Sequence, residues 1–240
     1  MENVDLQGVV LASPAVRRLA ERQPLAEDVH DVLVDMLMNH ALSPGARLNI
    51  DALARSLSVS PTPIREALAR IEAEGLIVKE PRRGYVVAPL ITLDDVRSLI
   101  EFRLLVEPSA AAEAAERVTP EDAAALRSLA RSGGSGDNDD AAANRLDMIY
   151  DATFHDTVAS LGGNPWLRES LARLRSHLHM YRLYYHAQFA AATSSEHITI
   201  ADAISDRDPG GAAEAMRTHL NTAMQRTEDV FASGRLPAGS

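Results

Sequence analysis

Asp151 and His155 stand four residues apart in the stretch Ile149-Tyr150-Asp151-Ala152-Thr153-Phe154-His155. Positions i and i+4 of a helix share a face, so this carboxylate and this imidazole can point at one ion. Two more histidines lie downstream: His197 at the start of one predicted helix and His219 midway along the next. Three imidazoles and one carboxylate are a donor set suited to Zn²⁺, Ni²⁺ or Mn²⁺, with geometry choosing among them. A set spread over 69 positions also leaves open that each histidine is a cap, core or surface residue. That plainer reading is taken for His30, His40, His177, His179 and His186.

A second group of side chains sits near the N-terminus. Ser60, Thr62 and Arg65 open a helix predicted from about Thr62 to Glu74, with Ile64, Leu68 and Ile71 facing inward. Two hydroxyls and a guanidinium beside free backbone N–H groups suit phosphate oxygens, and Arg65 can reach guanine O6 and N7. Arg82 and Arg83, on the tip between the β-type runs 76–78 and 85–87, can enter a minor groove or clamp phosphate. The plain alternative makes Ser60 a helix cap and the arginines solvated surface charges.

The elements that position these groups divide at about residue 90. Residues 1–24 lack a clear period and are expected to form a flexible arm. A helix from Leu25 to about Asn39, a short one over 51–57, the helix from Thr62 and a β-hairpin wing describe a winged helix-turn-helix over 25–90. Gly75 stops the third helix where a left-handed residue is wanted. Beyond Pro89 the pattern is all-helical, with helices at about 93–117 (Pro108 expected to kink it), 120–130, 141–160, 165–190, 194–206 and 210–232. Ser132–Asp137 reads as a flexible loop, and 233–240 as a tail. The fold class is thus mainly α: a winged helix followed by an all-α bundle over 91–232.

Composition limits what such a chain can do. Cysteine is absent, which excludes disulfides and thiolate chemistry and fits a reducing cytoplasm. No apolar run approaches the length of a membrane span, and Met-Glu-Asn-Val-Asp lacks a basic signal region, so a cytoplasmic protein with no membrane role is expected. Net charge is −10. Residues 46–90 nevertheless hold seven Lys/Arg against five acids, and residues 91–240 hold 14 against 22. A mildly basic segment on an acidic body is compatible with DNA, because the local field dominates within a Debye length.

The motifs Leu42-Ser43-Pro44-Gly45-Ala46-Arg47-Leu48, Leu53-Ala54, Val59 through Leu68, Glu74-Gly75-Leu76 and Arg83-Gly84-Tyr85-Val86-Val87, in that order, resemble the GntR superfamily. The resemblance implies operator binding as a homodimer, with Arg47, Ser60, Thr62, Arg65, Arg82, Arg83 and Gly84 as the contact set on a palindromic double-stranded site. Many relatives carry Arg where this chain has Pro61, and some carry Arg where it has Asp51, so base readout shifts onto Arg65 and the wing. Glu101 through Pro108, Asp151 through His155, Gly163-Asn164-Pro165, Glu196-His197 and His219-Leu220 resemble the FadR-type C-terminal domain known as FCD. That resemblance implies a divalent ion, zinc before nickel or manganese, held by Asp151, His155, His197 and His219. It implies, too, an effector beside the ion, a carboxylate-bearing metabolite facing Arg103. The alternative for Arg103 is an ion pair with Glu107 one turn along.

Two other uses of the ion remain open. A three-His, one-carboxylate metal with an open position can activate water for hydrolysis. The chain has no His-Glu-x-x-His, nucleophile elbow or Gly-rich phosphate loop, so a regulator is expected rather than an enzyme: a repressor, with activation as the alternative that operator position would decide. The ion can also simply staple helices.

Overall fold

Val29, Leu33 and Leu37 recur every fourth residue, and in the computed structural model they form the buried face of α1 (Gln23–Met38). The structure describes residues 23–133, 141–184 and 189–233. Next come β1 (Arg47–Leu48), α2 (Ile50–Ser56), α3 (Pro61–Ala73), β2 (Ile77–Glu80) and β3 (Gly84–Val87). Asn49 opens α2, its side chain accepting from the Ala52 N–H at 2.9 Å. α3 starts on Pro61, whose fixed φ suits a first helical position. It buries Ile64, Ala67, Leu68 and Ile71 completely. The helix ends as expected: Gly75 takes φ 78° and the Leu76 N–H donates back to Ile71 O at 3.2 Å. The three strands form an antiparallel sheet in the order β1-β3-β2, with Arg47 opposite Val86 and Val78 opposite Val86 on the other side. The sequence reading missed β1 because two residues are too short to show alternation.

α1 is tied to the end of α3 by a titratable contact. His30 Nε2 donates to both Glu74 carboxylate oxygens at 3.0 and 3.1 Å, and its Nδ1 faces Asp31 at 3.2 Å. The Glu74 hydrogen bond raises the His30 pKa against the opposing effect of burial. A raised folded-state value stabilises the fold fully below about pH 6.5, and the contribution is lost as pH rises through the folded value. Urea denaturation of the wild type should therefore show a stability decrement between pH 6 and 8.5 that His30→Gln lacks. Parallel pH profiles for the two proteins would remove this contact from the account.

The helical half comprises α4 (Leu93–Arg117), α5 (Pro120–Ser132), α6 (Ala141–Leu161), α7 (Pro165–Leu174), α8 (Ser176–Tyr184), α9 (Ala190–Ser205) and α10 (Pro209–Ala232). Thr92 with Asp95, and Thr119 with Asp122, form capping boxes that start α4 and α5. α4 lies along α10, α9 packs on α5 and α10, and α6 packs on α4. Their shared core holds Ala111, Ala114, Phe154, Ile200, Met216 and Leu220, all with no exposed surface. So many alanines let helix axes approach closely. At Gly162 an added Cβ would lie 2.8 Å from Ala110 O, so the α4–α6 contact needs a residue without a side chain.

The helix read as 165–190 is in fact two, because Arg175 adopts the left-handed conformation (φ 48°, ψ 33°) between α7 and α8. Neither Gly nor Pro marks that break. α4 continues as helix through Pro108. By its contacts the described chain forms two compact units. One holds the residues through Leu37 together with Gly45–Ala88, and the other holds Met38–Pro44 together with the chain from Pro89 onward. The expected arm falls outside the described residues up to 22, as do loop residues 134–137, His186 and the tail beyond Ser233. Among the described residues no helix is long and apolar enough to cross a membrane.

Candidate functional site

α6 carries Asp151 and His155 one turn apart, α9 carries His197 and α10 carries His219, and packing of these helices brings the four together. One donor atom from each lies within 4.8 Å of every other. His155 Nε2 is 3.2 Å from His219 Nε2, and Asp151 Oδ1 is 3.6 Å from His197 Nε2 and 3.8 Å from His155 Nε2. Donors about 2 Å from a common centre have such separations.

The ring orientations are set from behind. His155 Nδ1 donates to Glu107 at 2.5 Å and His219 Nδ1 donates to Glu196 at 2.7 Å. Each carboxylate fixes the tautomer in which Nε2 carries a lone pair. Two such lone pairs facing each other at 3.2 Å repel unless a positive group lies between or beside them. His197 is ordered differently, by Phe154 stacked on it at 4.0 Å with planes 12° apart. Its Nε2 is buried and, among the described residues, has no hydrogen-bond partner. Burial lowers the pKa of His197 and of His219, the latter against the pull of Glu196, so both imidazoles are neutral near pH 7, the form a metal ion needs. An orphaned buried nitrogen, two carboxylate-held imidazoles and one carboxylate fit a divalent cation.

Glu107 and Glu196 are themselves compensated. Burial would raise the Glu107 carboxyl, but the Arg103 guanidinium and His155 hold it well below the usual range. Burial opposes ionisation of Glu196 as well, and its hydrogen bonds with His219 and Arg226 bring it to about 2. Arg226 reaches Glu196 with both terminal nitrogens, at 2.6 and 3.0 Å. The sequence reading missed Glu196 and Arg226 as supporting groups and took Glu107 only as a partner for Arg103. The one available signal was Arg226 lying seven residues, two turns, beyond His219.

Arg103 is buried and forms the intrahelical ion pair with Glu107 that sequence spacing offered as its alternative. It also borders the cluster, with Nη2 3.2 Å from His155 Nε2. A cavity of about 370 Å³ opens beside the cluster, lined among others by Glu107, Asp151, Thr153, His155, Arg175 and His177. Arg103 is not in its wall. Burial lowers the His177 pKa to about 4, so a neutral imidazole faces this space.

In the other unit, Ser60, Thr62 and Arg65 are all exposed on the first turns of α3. Ser60 makes no side-chain capping bond, which leaves its hydroxyl available. The expected row of free N–H groups is thinner than the sequence reading held, because Pro61 and Pro63 have none. Ser60 and Thr62 supply the remaining backbone donors. Arg82 and Arg83 are exposed at the hairpin tip, where Arg83 Nη1 pairs with Glu80 at 2.7 Å. An exposed pair of that kind is weak and easily exchanged for phosphate. Gly84 has φ 78° with nothing near the position of an added Cβ, so it serves the turn's conformation. Arg47 is exposed on β1.

Residues 25–87 match the bacterial regulatory proteins of the gntR family, and residues 98–222 match the FCD domain. The HTH-type transcriptional repressor NanR of Salmonella newport (strain SL254) is 28% identical over 231 residues, covering 86% of this chain and 86% of that protein. The NanR repressor of Salmonella typhimurium (strain LT2) is 28% identical over 86% of this chain and 85% of its own length. Among solved structures, E. coli McbR/YncC superposes with a TM-score of 0.61 at 22% identity, covering 86% of this chain and 98% of that one. A putative GntR regulator from Rhodococcus sp. RHA1 gives 0.59 at 24% identity, covering 85% and 97%. At these identities the two structures support the fold alone. The matched families and relatives are transcription regulators, so the hydrolase alternative falls. The chain belongs to the gntR family of bacterial regulatory proteins and is a DNA-binding transcriptional regulator whose C-terminal half is an FCD domain.

Proposed function

We propose that the chain is a homodimeric, cytoplasmic repressor of the FadR subfamily whose grip on a palindromic operator is modulated by a carboxylate-bearing metabolite bound beside a divalent ion. Asp151, His155, His197 and His219 hold the ion, and residues 25–90 and 91–232 act as the DNA-reading and sensing domains. The observation that carries the metal assignment is the pair of carboxylate-held imidazoles aimed at each other across 3.2 Å. Zinc suits three nitrogens and one oxygen best, with nickel and manganese as lesser fits.

When bound, the ion supplies a Lewis-acid position for a ligand carboxylate. Asp151 and His155 line the cavity through which such a ligand arrives. Arg103 borders His155 Nε2 and adds a guanidinium suited to a second carboxylate oxygen. An effector that prefers one arrangement of the dimer shifts the operator equilibrium by no more than its differential affinity. Ser60, Thr62, Arg65, the wing residues Arg82 and Arg83, and Arg47 make up the DNA contact surface, by their exposure and their place on α3 and the sheet, with the half-buried Gly84 completing the wing.

The test is fluorescence anisotropy on a fragment from the protein's own upstream region, with and without a panel of carboxylates. Arg65→Ala should weaken binding by about 1–3 kcal/mol, roughly 5- to 150-fold. Equal affinity of the mutant would remove Arg65 from base readout. Chelation separates sensing from stapling: an intact circular dichroism spectrum with a lost carboxylate response supports sensing, and loss of fold supports a structural ion.

A further inference from the structure

α8 begins at the cavity and ends at the chain segments that lead into the DNA-reading unit. Its first residues, Ser176 and His177, and the preceding Arg175 line the cavity beside the metal-ligand cluster. Five residues on, about 7.5 Å along the axis, Arg182 is 1% exposed. Its Nη1 donates to Pro89 O at 3.3 Å, and its own carbonyl accepts from His40 Nε2 at 2.9 Å. The chain passes between its two compact units after Leu37, after Pro44 and after Ala88. His40 and Pro89 therefore stand on both of the segments that make those passages. Met180 and Leu183 of α8 share an apolar cluster with Leu90, the residue after Pro89.

The other end of α8 is jointed. Arg175 is a single left-handed residue between two helices, a strained conformation for a residue with a side chain. A nine-residue helix is a stiff, internally hydrogen-bonded rod, so a push at His177 is directed along it toward Arg182. We propose that α8 is a lever coupling occupancy of the cavity to the passages at His40 and Pro89. The proposal rests on the reading of the cavity as the effector site and adds how that site reaches the DNA-reading unit.

The coupling is testable in the full-length protein without a ligand. His177→Trp fills part of the cavity with an indole and stands in for an occupant. Hydrogen-exchange mass spectrometry should show a change of about tenfold or more in amide exchange over residues 40–44 and 90–92. The change should vanish when Arg182→Gln is added. Exchange in these segments that stays at wild-type rates in His177→Trp, or a change that survives Arg182→Gln, overturns the lever. Should Arg182→Gln not fold, His40→Gln replaces it, and must reduce the change over residues 40–44; an undiminished change there overturns the proposal equally. No ion or carboxylate takes part, so a failed carboxylate screen does not bear on this result. Conversely, unaltered exchange leaves the effector site standing without its lever.

Discussion

His155→Ala combined with His219→Ala will yield a folded protein that carries no divalent ion, falling from about one metal per chain to a background level by elemental analysis. The two imidazoles provide the facing Nε2 pair, and without them only His197 and Asp151 remain, too few donors to hold zinc against buffer. Folding survives because each substitution leaves a compensated carboxylate behind. Glu107 keeps its pair with Arg103, and Glu196 keeps its two bonds from Arg226. Phe154 and Leu220, the apolar neighbours in sequence, stay in the core. A double variant that retains a full complement of metal would place the ion elsewhere in the chain. Loss of helical signal together with loss of metal would make the ion a staple.

What the sequence disclosed about this site follows from the reach of helical periodicity. Asp151 and His155 could be paired because i and i+4 face one way whatever the surroundings. His197 and His219 could be attached to them only through resemblance, since no spacing rule says that α9 and α10 bring those rings to α6. The supporting carboxylates were hidden for a related reason. Glu196 precedes His197 in sequence, which turns it roughly 100° away around the helix. It cannot serve its neighbour, and instead meets His219 on α10. Arg103 and Glu107 were legible as an i, i+4 pair, yet nothing local said that Glu107 also meets His155 from a different helix.

The same division runs through the fold. Capping boxes at Thr92 and Thr119 and the left-handed Gly75 are local chemistry, and they start and stop helices where pattern puts them. The break at Arg175 has no local marker, and β1 has too few residues to be seen. At the tip of α3 the reverse happened. The two prolines were visible as a motif, but their lack of N–H groups weakens the phosphate cradle that helix position alone suggested.

Glu107 is the residue whose replacement separates metal tuning from stability. It is 3% exposed, meets Arg103 through both carboxylate oxygens and accepts from His155 Nδ1 at 2.5 Å. Glu107→Ala leaves the Arg103 guanidinium buried without its countercharge, and breaking one partner of such a pair costs about 3–5 kcal/mol. That loss should appear as a lowered denaturant midpoint. Glu107→Gln keeps the shape but changes the hydrogen-bond logic. Its carbonyl can accept from Arg103, and its amide N–H then faces His155 Nδ1, which must become the acceptor. The imidazole proton moves to Nε2 and removes the lone pair aimed at the ion. Metal affinity should fall about 10- to 100-fold in a competition titration with a chromophoric chelator, a size typical for groups that orient a liganding histidine. Because the Glu107 pKa is held well below its ordinary value, its stabilising effect is fully present above about pH 4.5 and lost only as pH falls through the depressed folded value. Wild-type affinity in Glu107→Gln would mean that His155 is oriented by something other than this carboxylate.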